Sequence, residues 1–289
     1  MKQYLRLLKL MNSFCATEPY FDHSHLPDWH DHLHIQETIF EEKKDDYHFL
    51  IFRNKLFGYV VALNGEVRLH ELDEPSYHEM LVHVPLMTHA HPRHILILGG
   101  SDGGALREVL KHSTIQQVTL VTDETSMIEH TKKHLPHLSL GAFDHPKVKN
   151  VSLSITDFLS QTDQKFDVII CDPLLESKEL LYTRPFYESC KQKLNVKGIV
   201  VHYNTSITHD QLQPFNVART YLITLPSCQS VFMRGSSSFR LMTDTHDYQK
   251  LSKKELQKRI KRVQGEMQYY NPDIHKASFA LPEYIKPCS

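Results

Sequence analysis

The spacing of apolar residues divides the chain into two regions of different character. Between residues 36 and 74, short apolar runs are bounded by polar residues and turn-forming residues, which is typical of strands. Asn64 and Gly65 separate the last two runs and predict a tight hairpin turn. The runs cover residues 37–40, 49–52, 59–63 and 67–70. This region therefore predicts a small antiparallel β domain.

After residue 90, apolar runs alternate with segments of helical periodicity. The runs predict strands at 95–98, 117–121, 148–154, 168–172 and 199–203. Helical spacing occurs between them, as in 127–134 and 185–193, and also at 77–88, before the first run. Alternating strands and helices build a mostly parallel sheet with helices on both faces. The predicted fold class is α/β, with a Rossmann-like sheet after the small N-terminal antiparallel β domain.

A glycine-rich turn follows the first strand of the second region. Gly99, Gly100, Gly103 and Gly104 lack Cβ atoms, so the backbone here can approach a nucleoside closely. The spacing matches neither a P-loop nor the dinucleotide fingerprint. Asp102 lies within the turn, and its carboxylate disfavours a phosphate neighbour. The turn therefore favours a nucleoside that carries a cationic or sulfonium group.

Acidic residues follow three of the predicted strands. Asp102 follows the first strand, Asp123 or Glu124 the second, and Asp172 ends the fourth. Ligands of open α/β sheets bind at the carboxyl ends of the strands, and an acid after the second strand commonly holds ribose hydroxyls. The sequence thus predicts an acidic ligand site at this edge.

Composition restricts the classes of partner. The 289 residues are 40% hydrophobic and 23% charged, with a formal net charge of −1, so no basic face for nucleic acid is expected. The five cysteines are widely spaced and form no C-x-x-C pair, which argues against a disulfide framework and a zinc site. Charged residues interrupt the N-terminal leucines, so neither a signal peptide nor a membrane segment is predicted. These features favour a cytoplasmic protein.

Five histidines crowd one polar stretch near the N-terminus: His23, His25, His30, His32 and His34. Histidine is a common metal ligand, but a spacing of two along a loop fixes no tetrahedral geometry. We expect a solvated segment here and no metal site.

Several motifs in order resemble the spermidine synthases, or polyamine aminopropyltransferases. They include Asp73-Glu-Pro-Ser-Tyr-His-Glu-Met80, Gly99-Gly-Ser-Asp-Gly-Gly-Ala-Leu-Arg-Glu-Val109, Phe166-Asp-Val-Ile-Ile-Cys-Asp172 and Tyr269-Tyr-Asn-Pro-Asp-Ile-His275. The resemblance runs from residue 29 to residue 285. It implies an N-terminal extension at 1–28, a β-hairpin domain at 29–76 and a Rossmann-like catalytic domain at 77–289, assembled as a homodimer or homotetramer.

The resemblance also implies a reaction. An aminopropyl group would move from decarboxylated S-adenosylmethionine to putrescine, giving spermidine and 5′-methylthioadenosine, with no cofactor and no metal. Asp172 matches the family's general base, and Asp102 matches the acid that faces the aminopropyl ammonium. Tyr77 and His78 match the pair that lines the amine pocket. Gly99 and Gly100 match the turn beside the nucleoside.

The chain departs from the family's pattern at several ligand contacts. Thr122 stands where the ribose-binding Glu is expected, so Asp123 is the substitute, and Asp157 is the candidate for the missing adenine contact. Tyr47 replaces a nucleoside-binding Gln. Leu175 stands where an amine-binding Asp is expected, and Glu176 or Glu179 would supply the charge.

These losses leave two further functions open. One is a non-catalytic relative that binds a nucleoside or polyamine. The other is an S-adenosylmethionine-dependent methyltransferase, since the sheet architecture is shared and fold alone does not settle chemistry.

Overall fold

The computed structural model describes residues 20–26, 29–44, 47–173, 183–204, 219–224, 238–244 and 251–280. The chain forms two units, Met1–Leu72 and Asp73–Ser289. Among the helices described, none has both the length and the apolar character needed to cross a membrane.

The first unit is built from antiparallel strands. A hairpin pairs β1 with β2, and a separate four-stranded sheet has the order β3-β4-β5-β6. Asn64 and Gly65 both have positive φ in the turn between β5 and β6, which confirms the predicted hairpin. The strands are β1 (Tyr20–Leu26), β2 (Trp29–His34), β3 (Glu37–Lys44), β4 (Tyr47–Asn54), β5 (Gly58–Leu63) and β6 (Glu66–His70).

The histidine-rich stretch is not the loop that the sequence analysis expected. Its backbone forms the β1–β2 hairpin, in which His23 pairs with Asp31 and Ser24 pairs with His30. A spacing of two residues is the period of a strand, so the histidine pattern itself carried the signal.

The second unit contains a seven-stranded sheet with the order β12-β13-β11-β10-β7-β8-β9. Strands β11, β10, β7, β8 and β9 are neighbours in parallel, whereas β13 is antiparallel to both β11 and β12. The α/β fold with a mostly parallel sheet is therefore confirmed. The strands are β7 (His94–Gly99), β8 (Gln117–Val121), β9 (Val148–Val151), β10 (Phe166–Asp172), β11 (Leu194–Asn204), β12 (Arg219–Thr224) and β13 (Ser238–Thr243).

Helices cover both faces of this sheet. Alternate residues such as Ile95 and Ile97 pack beneath α1 and α2, while Leu96 and Leu98 pack on the opposite side against α5 and α6. The helices are α1 (Glu74–Thr88), α2 (Gly104–Leu110), α3 (Thr125–His134), α4 (Pro136–Ser139), α5 (Ile155–Gln161), α6 (Arg184–Gln192), α7 (Lys253–Ile260) and α8 (Pro272–Ala277).

Several predicted element boundaries differ from the observed ones, and two of these differences have a clear local cause. Strand β9 ends at Val151, well before residue 154, because Ser154 accepts a hydrogen bond from the Asp157 amide and so begins α5. Helix α1 begins at Glu74, not at residue 77, because Pro75 is compatible with a first helical turn. The domain limit proposed at 76/77 therefore falls inside α1.

Candidate active site

The candidate site lies at the carboxyl ends of β7 and β10. The chain leaves β7 towards β8 and β9 on one side, then returns to β10 on the other, which makes this the switch point where open sheets bind ligands. Gly99 pairs with Asp172, and the Gly100 amide donates to the Asp172 carbonyl oxygen at 2.7 Å. A Cβ at Gly99 would overlap that carbonyl, so glycine is required for this close approach.

Helix α1 brings two side chains to Asp172. The Tyr77 hydroxyl donates to Asp172 Oδ1 at 2.6 Å. The fully buried His78 places Nε2 at 3.3 Å from Asp102 Oδ1 and at 4.0 Å from Asp172 Oδ2. Tyr77, His78, Asp102 and Asp172, which were predicted from distant parts of the sequence, are therefore brought together.

A second layer holds His78 in place. Its Nδ1 is 2.5 Å from Glu74 Oε1, and the same oxygen accepts from Arg107 Nη2 at 2.6 Å. Asp102 Oδ1 accepts from the Gly104 amide at 2.7 Å. A Cβ at Gly104 would overlap the His78 ring, so this glycine makes room for the imidazole.

His78 and Asp102 form a charged pair. Burial alone would lower the pKa of His78, but the carboxylates of Asp102 and Glu74 outweigh it and raise that pKa well above 6.5. Burial alone would raise the pKa of Asp102, but the positive charge of His78 and its hydrogen bonds lower it. His78 is therefore an imidazolium at neutral pH, and Asp102 is a carboxylate.

Asp172 behaves differently from Asp102. Burial, followed by the charge of Asp102, raises its pKa to about 6, although His78 and Tyr77 act in the opposite direction. Asp172 is 9% exposed, and its Oδ2 accepts no hydrogen bond from the residues described. A buried oxygen without a protein donor is costly unless a ligand supplies one. Asp172 is thus poised to accept a proton near neutral pH.

The same three side chains are metal-ligating types. His78, Asp102 and Asp172 offer ligand atoms that all lie within 4.8 Å of one another. The two carboxylates among them also suit an ammonium group, which donates hydrogen bonds to carboxylate oxygens.

The sequence predicted Asp123 or Glu124 as the acid that follows β8, and the two side chains have different surroundings in the structure. Asp123 is exposed, and the hydroxyl oxygen of the buried Thr122 accepts a hydrogen bond from the Glu124 amide at 3.0 Å. Glu124 is 7% exposed, and its Oε2 accepts from the Ser101 hydroxyl of the glycine turn at 2.6 Å. Glu124 also contributes to the raised pKa of Asp172. Of the acids following β8, Glu124 is therefore the one that faces the site.

The remaining predicted contacts have varied positions. Asp157 is exposed and bonded to Ser154 at the start of its own helix, at 2.7 Å. Tyr47 begins β4 in the first unit, where its ring stacks on Phe49 with centroids 6.3 Å apart. Glu176 and Glu179 lie outside the described residues.

The sequence analysis missed several residues that shape the site. Glu74 and Arg107 were not singled out, although both lie inside quoted motifs. Tyr203 and Phe239 pack their rings against Tyr77 at 5.3 and 5.5 Å. Tyr203 ends the predicted strand 199–203, so its position at a carboxyl end was the available signal.

Known proteins resemble this chain over most of its length. The family model of the spermine/spermidine synthase domain matches residues 74–232. A polyamine aminopropyltransferase of Shigella boydii serotype 18 is 36% identical across 89% of this chain and 95% of its own length. Its counterpart from Escherichia coli O1:K1 / APEC is 35% identical with the same coverage.

Two solved structures of similar fold are spermidine synthases. The spermidine synthase of Thermotoga maritima superimposes with a TM-score of 0.81 at 27% identity, covering 96% of this chain and 97% of the other. A spermidine synthase in complex with the transition-state analogue AdoDATO also gives 0.81 at 27% identity, covering 93% and 94%. The fold, the acidic switch-point site and these likenesses lead to one conclusion: the chain belongs to the spermine/spermidine synthase family.

Proposed function

We propose that this protein is a polyamine aminopropyltransferase that converts decarboxylated S-adenosylmethionine and putrescine into spermidine and 5′-methylthioadenosine. The observation that carries the proposal is Asp172, a buried carboxylate with a pKa of about 6 and one oxygen that accepts no hydrogen bond from the described residues. The names of the relatives, polyamine aminopropyltransferase and spermidine synthase, support the same reaction.

Asp172 is the general base in this proposal. The bound ammonium of putrescine gives a proton to the carboxylate, and the freed lone pair attacks the carbon next to the sulfonium. The new C–N bond forms as the C–S bond breaks. The electron pair of the C–S bond stays on sulfur, which becomes a neutral thioether. Tyr77 donates to Oδ1 and fixes the carboxyl group, which leaves Oδ2 to accept the proton.

Asp102 and His78 orient the reactants. Asp102 is a carboxylate at the same end of the sheet, so it suits the primary ammonium of the aminopropyl group. The His78 imidazolium offsets one of the two neighbouring negative charges, which keeps the pKa of Asp172 from rising further. Alignment of amine and sulfonium carbon supplies much of the remaining acceleration.

Gly99 and Gly100 face the nucleoside in this proposal, and Glu124 holds its ribose hydroxyls. Carboxylate oxygens accept from both hydroxyls of a ribose, which the single hydroxyl of Thr122 does not match. Tyr47, Asp123, Asp157, Glu176 and Glu179 remain predicted ligand contacts that variant analysis is needed to test.

The two alternative functions are less favoured. The relatives are named as aminopropyltransferases, and a binding protein does not need a base tuned to a pKa of about 6. A methyltransferase must hold the methionine carboxylate, whereas the described strand ends present acids.

We also propose a cytoplasmic enzyme that forms a homodimer or homotetramer, without nucleic acid or membrane partners. Light scattering coupled to size-exclusion chromatography measures the assembly directly. A monomer at micromolar concentration would contradict the proposed assembly.

The reaction is tested by incubating purified protein with decarboxylated S-adenosylmethionine and a panel of diamines and triamines. Mass spectrometry detects methylthioadenosine and the amine product. Turnover by the wild type that is lost in Asp172→Asn and kept in Glu129→Gln, a change at an exposed residue of α3, supports the proposal. Absence of turnover in a protein that still binds methylthioadenosine contradicts it.

A further inference from the structure

An aromatic side chain stands next to the proposed base on the adjacent strand. Cys171 of β10 pairs in parallel with His202 of β11, so Asp172 and Tyr203 follow side by side. Tyr203 in turn pairs with Phe239 of β13. Asp172, Tyr203 and Phe239 therefore form a row across three strands at the edge that holds the candidate site.

The three side chains of this row share one face of the sheet. Residues two positions before or after them, such as Ile170, Val201 and Leu241, belong to the apolar layer beneath α1. Because side chains alternate along a strand, Asp172, Tyr203 and Phe239 project to that same face.

Tyr77 of α1 contacts every member of the row. Its hydroxyl donates to Asp172, and its ring centroid lies 5.3 Å from that of Tyr203 and 5.5 Å from that of Phe239. The Tyr203 and Phe239 rings are 5.7 Å apart. This packing fixes the Tyr203 ring against Tyr77, whose hydroxyl bonds the proposed base.

Exposure distinguishes the rings. Phe239 is fully buried beneath the others, whereas Tyr203 keeps part of its surface accessible. Tyr203 is thus the ring of the sheet row that a ligand at Asp172 can touch.

We propose that Tyr203 determines specificity for the acceptor amine, an inference that rests on the proposed aminopropyl transfer. A linear diamine consists of methylene groups between ammonium groups. An aromatic ring contacts the methylenes by dispersion and attracts an ammonium through its π face. Neighbouring strands are about 4.8 Å apart, close to the span of a short alkyl chain. The attacking nitrogen binds at Asp172, and the remaining chain lies along Tyr203.

The carboxylate and the aromatic ring recognise different features of the amine. Asp172 provides a negative charge that any cationic amine satisfies. The Tyr203 ring provides a wall of fixed shape, which distinguishes chain lengths. One methylene in a shaped apolar pocket changes specificity by about tenfold or more.

The test compares Tyr203→Leu with the conservative Tyr203→Phe in steady-state kinetics. Tyr203→Leu should raise the KM for putrescine about tenfold while the KM for decarboxylated S-adenosylmethionine stays within about twofold. Tyr203→Phe keeps the ring and should behave as the wild type. An unchanged putrescine KM in Tyr203→Leu, or an equal rise for both substrates, would overturn the inference.

Tyr203→Trp provides a second test if Tyr203→Leu fails to fold, as shown by its melting temperature. The larger ring should shift the kcat/KM ratio of 1,3-diaminopropane to putrescine upward by about tenfold. An unchanged ratio would overturn the inference.

Calorimetry separates failure of this inference from failure of the proposed function. Putrescine is titrated into the wild type, Tyr203→Phe and Tyr203→Leu, each saturated with methylthioadenosine. Tyr203→Trp replaces Tyr203→Leu if the latter does not fold. Absence of turnover in the wild type means that the proposed function fails. Weaker putrescine binding by Tyr203→Leu, or altered putrescine binding by Tyr203→Trp, still supports the contact between the ring and the amine. Equal binding by all variants contradicts it.

Discussion

Asp172 and Glu124 are both buried acids at strand ends, yet their surroundings assign them different tasks. Among the residues described, Tyr77 donates to one oxygen of Asp172 and none donates to the other, and the pKa of Asp172 is raised to about 6. Glu124 is bonded to the hydroxyl of Ser101. We therefore expect proton transfer at the first residue and nucleoside binding at the second.

The first prediction concerns Asp172. Asp172→Asn removes the base and should lower kcat by about 100-fold or more. In the wild type, kcat/KM should rise with pH through an acidic limb near the Asp172 pKa of about 6, because the base must be ionised. A pH–rate profile checks this limb. An Asp172→Asn variant with the wild-type kcat would exclude Asp172 as the base.

The second prediction concerns the end of β8. Glu124→Gln should raise the KM for decarboxylated S-adenosylmethionine by about 10- to 100-fold, since a charged hydrogen bond to the ribose is weakened. Asp123→Asn is the matched control, because Asp123 is exposed. If Asp123→Asn has the larger effect, the original assignment of Asp123 was right and Glu124 is only structural.

At the scale of elements, α1 links the site to the rest of the second unit. One turn carries Glu74, Tyr77 and His78, while Glu79 accepts backbone hydrogen bonds from Gln268, Tyr269 and Tyr270 at 2.6 to 2.8 Å. The far end of α1 is held by Arg259, which donates to the carbonyl oxygens of Met87, Thr88 and His89. The helix that delivers the site residues is therefore anchored near its middle and at its far end.

The third prediction concerns the charge that α1 buries. The folded-state pKa of His78 is raised above 6.5, so the paired imidazolium contributes stability that is fully present below pH 6.5. That contribution is lost as the pH rises through the raised folded-state pKa. Glu74→Gln should lower the free energy of unfolding at pH 6 by about 3 kcal/mol and weaken this pH dependence.

Urea unfolding at several pH values measures this effect. Glu129→Gln is the control, because Glu129 lies exposed on α3. Equal pH dependence in Glu74→Gln and the wild type would mean that Glu74 does not hold the His78 charge.

Element prediction from the sequence succeeded where periodicity was strong and failed where it was not. Strands β7, β8, β10 and β11 each contain a run of mostly apolar residues, and a strand was predicted at each of them. The β1–β2 hairpin was missed because its two-residue period is formed by histidines, which were interpreted as a solvated segment. Strands β12 and β13 were missed because a short apolar run such as 238–243, interrupted by Arg240, has no clear period.

At the scale of the whole molecule, the order of the motifs predicted the fold and the central acids. The sequence did not predict which neighbouring side chains face the ligand, and the structure was required for that. Asp172, Asp102, Tyr77 and His78 come from separate motifs, and the sheet brings them together. Which acid after β8 faces inward depends on a turn geometry set by Thr122 and Ser101. The sequence pattern alone does not specify that geometry.

The fourth prediction concerns ligand-linked stability. A ligand that binds only the folded state stabilises it, by about 2.7 kcal/mol at 100 times its dissociation constant. Methylthioadenosine should therefore raise the melting temperature of the wild type, and Glu124→Gln should show a smaller rise at the same concentration. Thermal unfolding by circular dichroism measures both. No rise in the wild type at millimolar methylthioadenosine would contradict a nucleoside site.

An isotope-labelled donor distinguishes transfer of the aminopropyl group from transfer of the methyl group. The protein is incubated with putrescine and decarboxylated S-adenosylmethionine that is deuterated in the propyl chain. Mass spectrometry then measures the masses of the products. We expect all of the deuterium to appear in spermidine and methylthioadenosine to be unlabelled. Deuterium retained on the nucleoside, with a methylated amine as the other product, would contradict aminopropyl transfer.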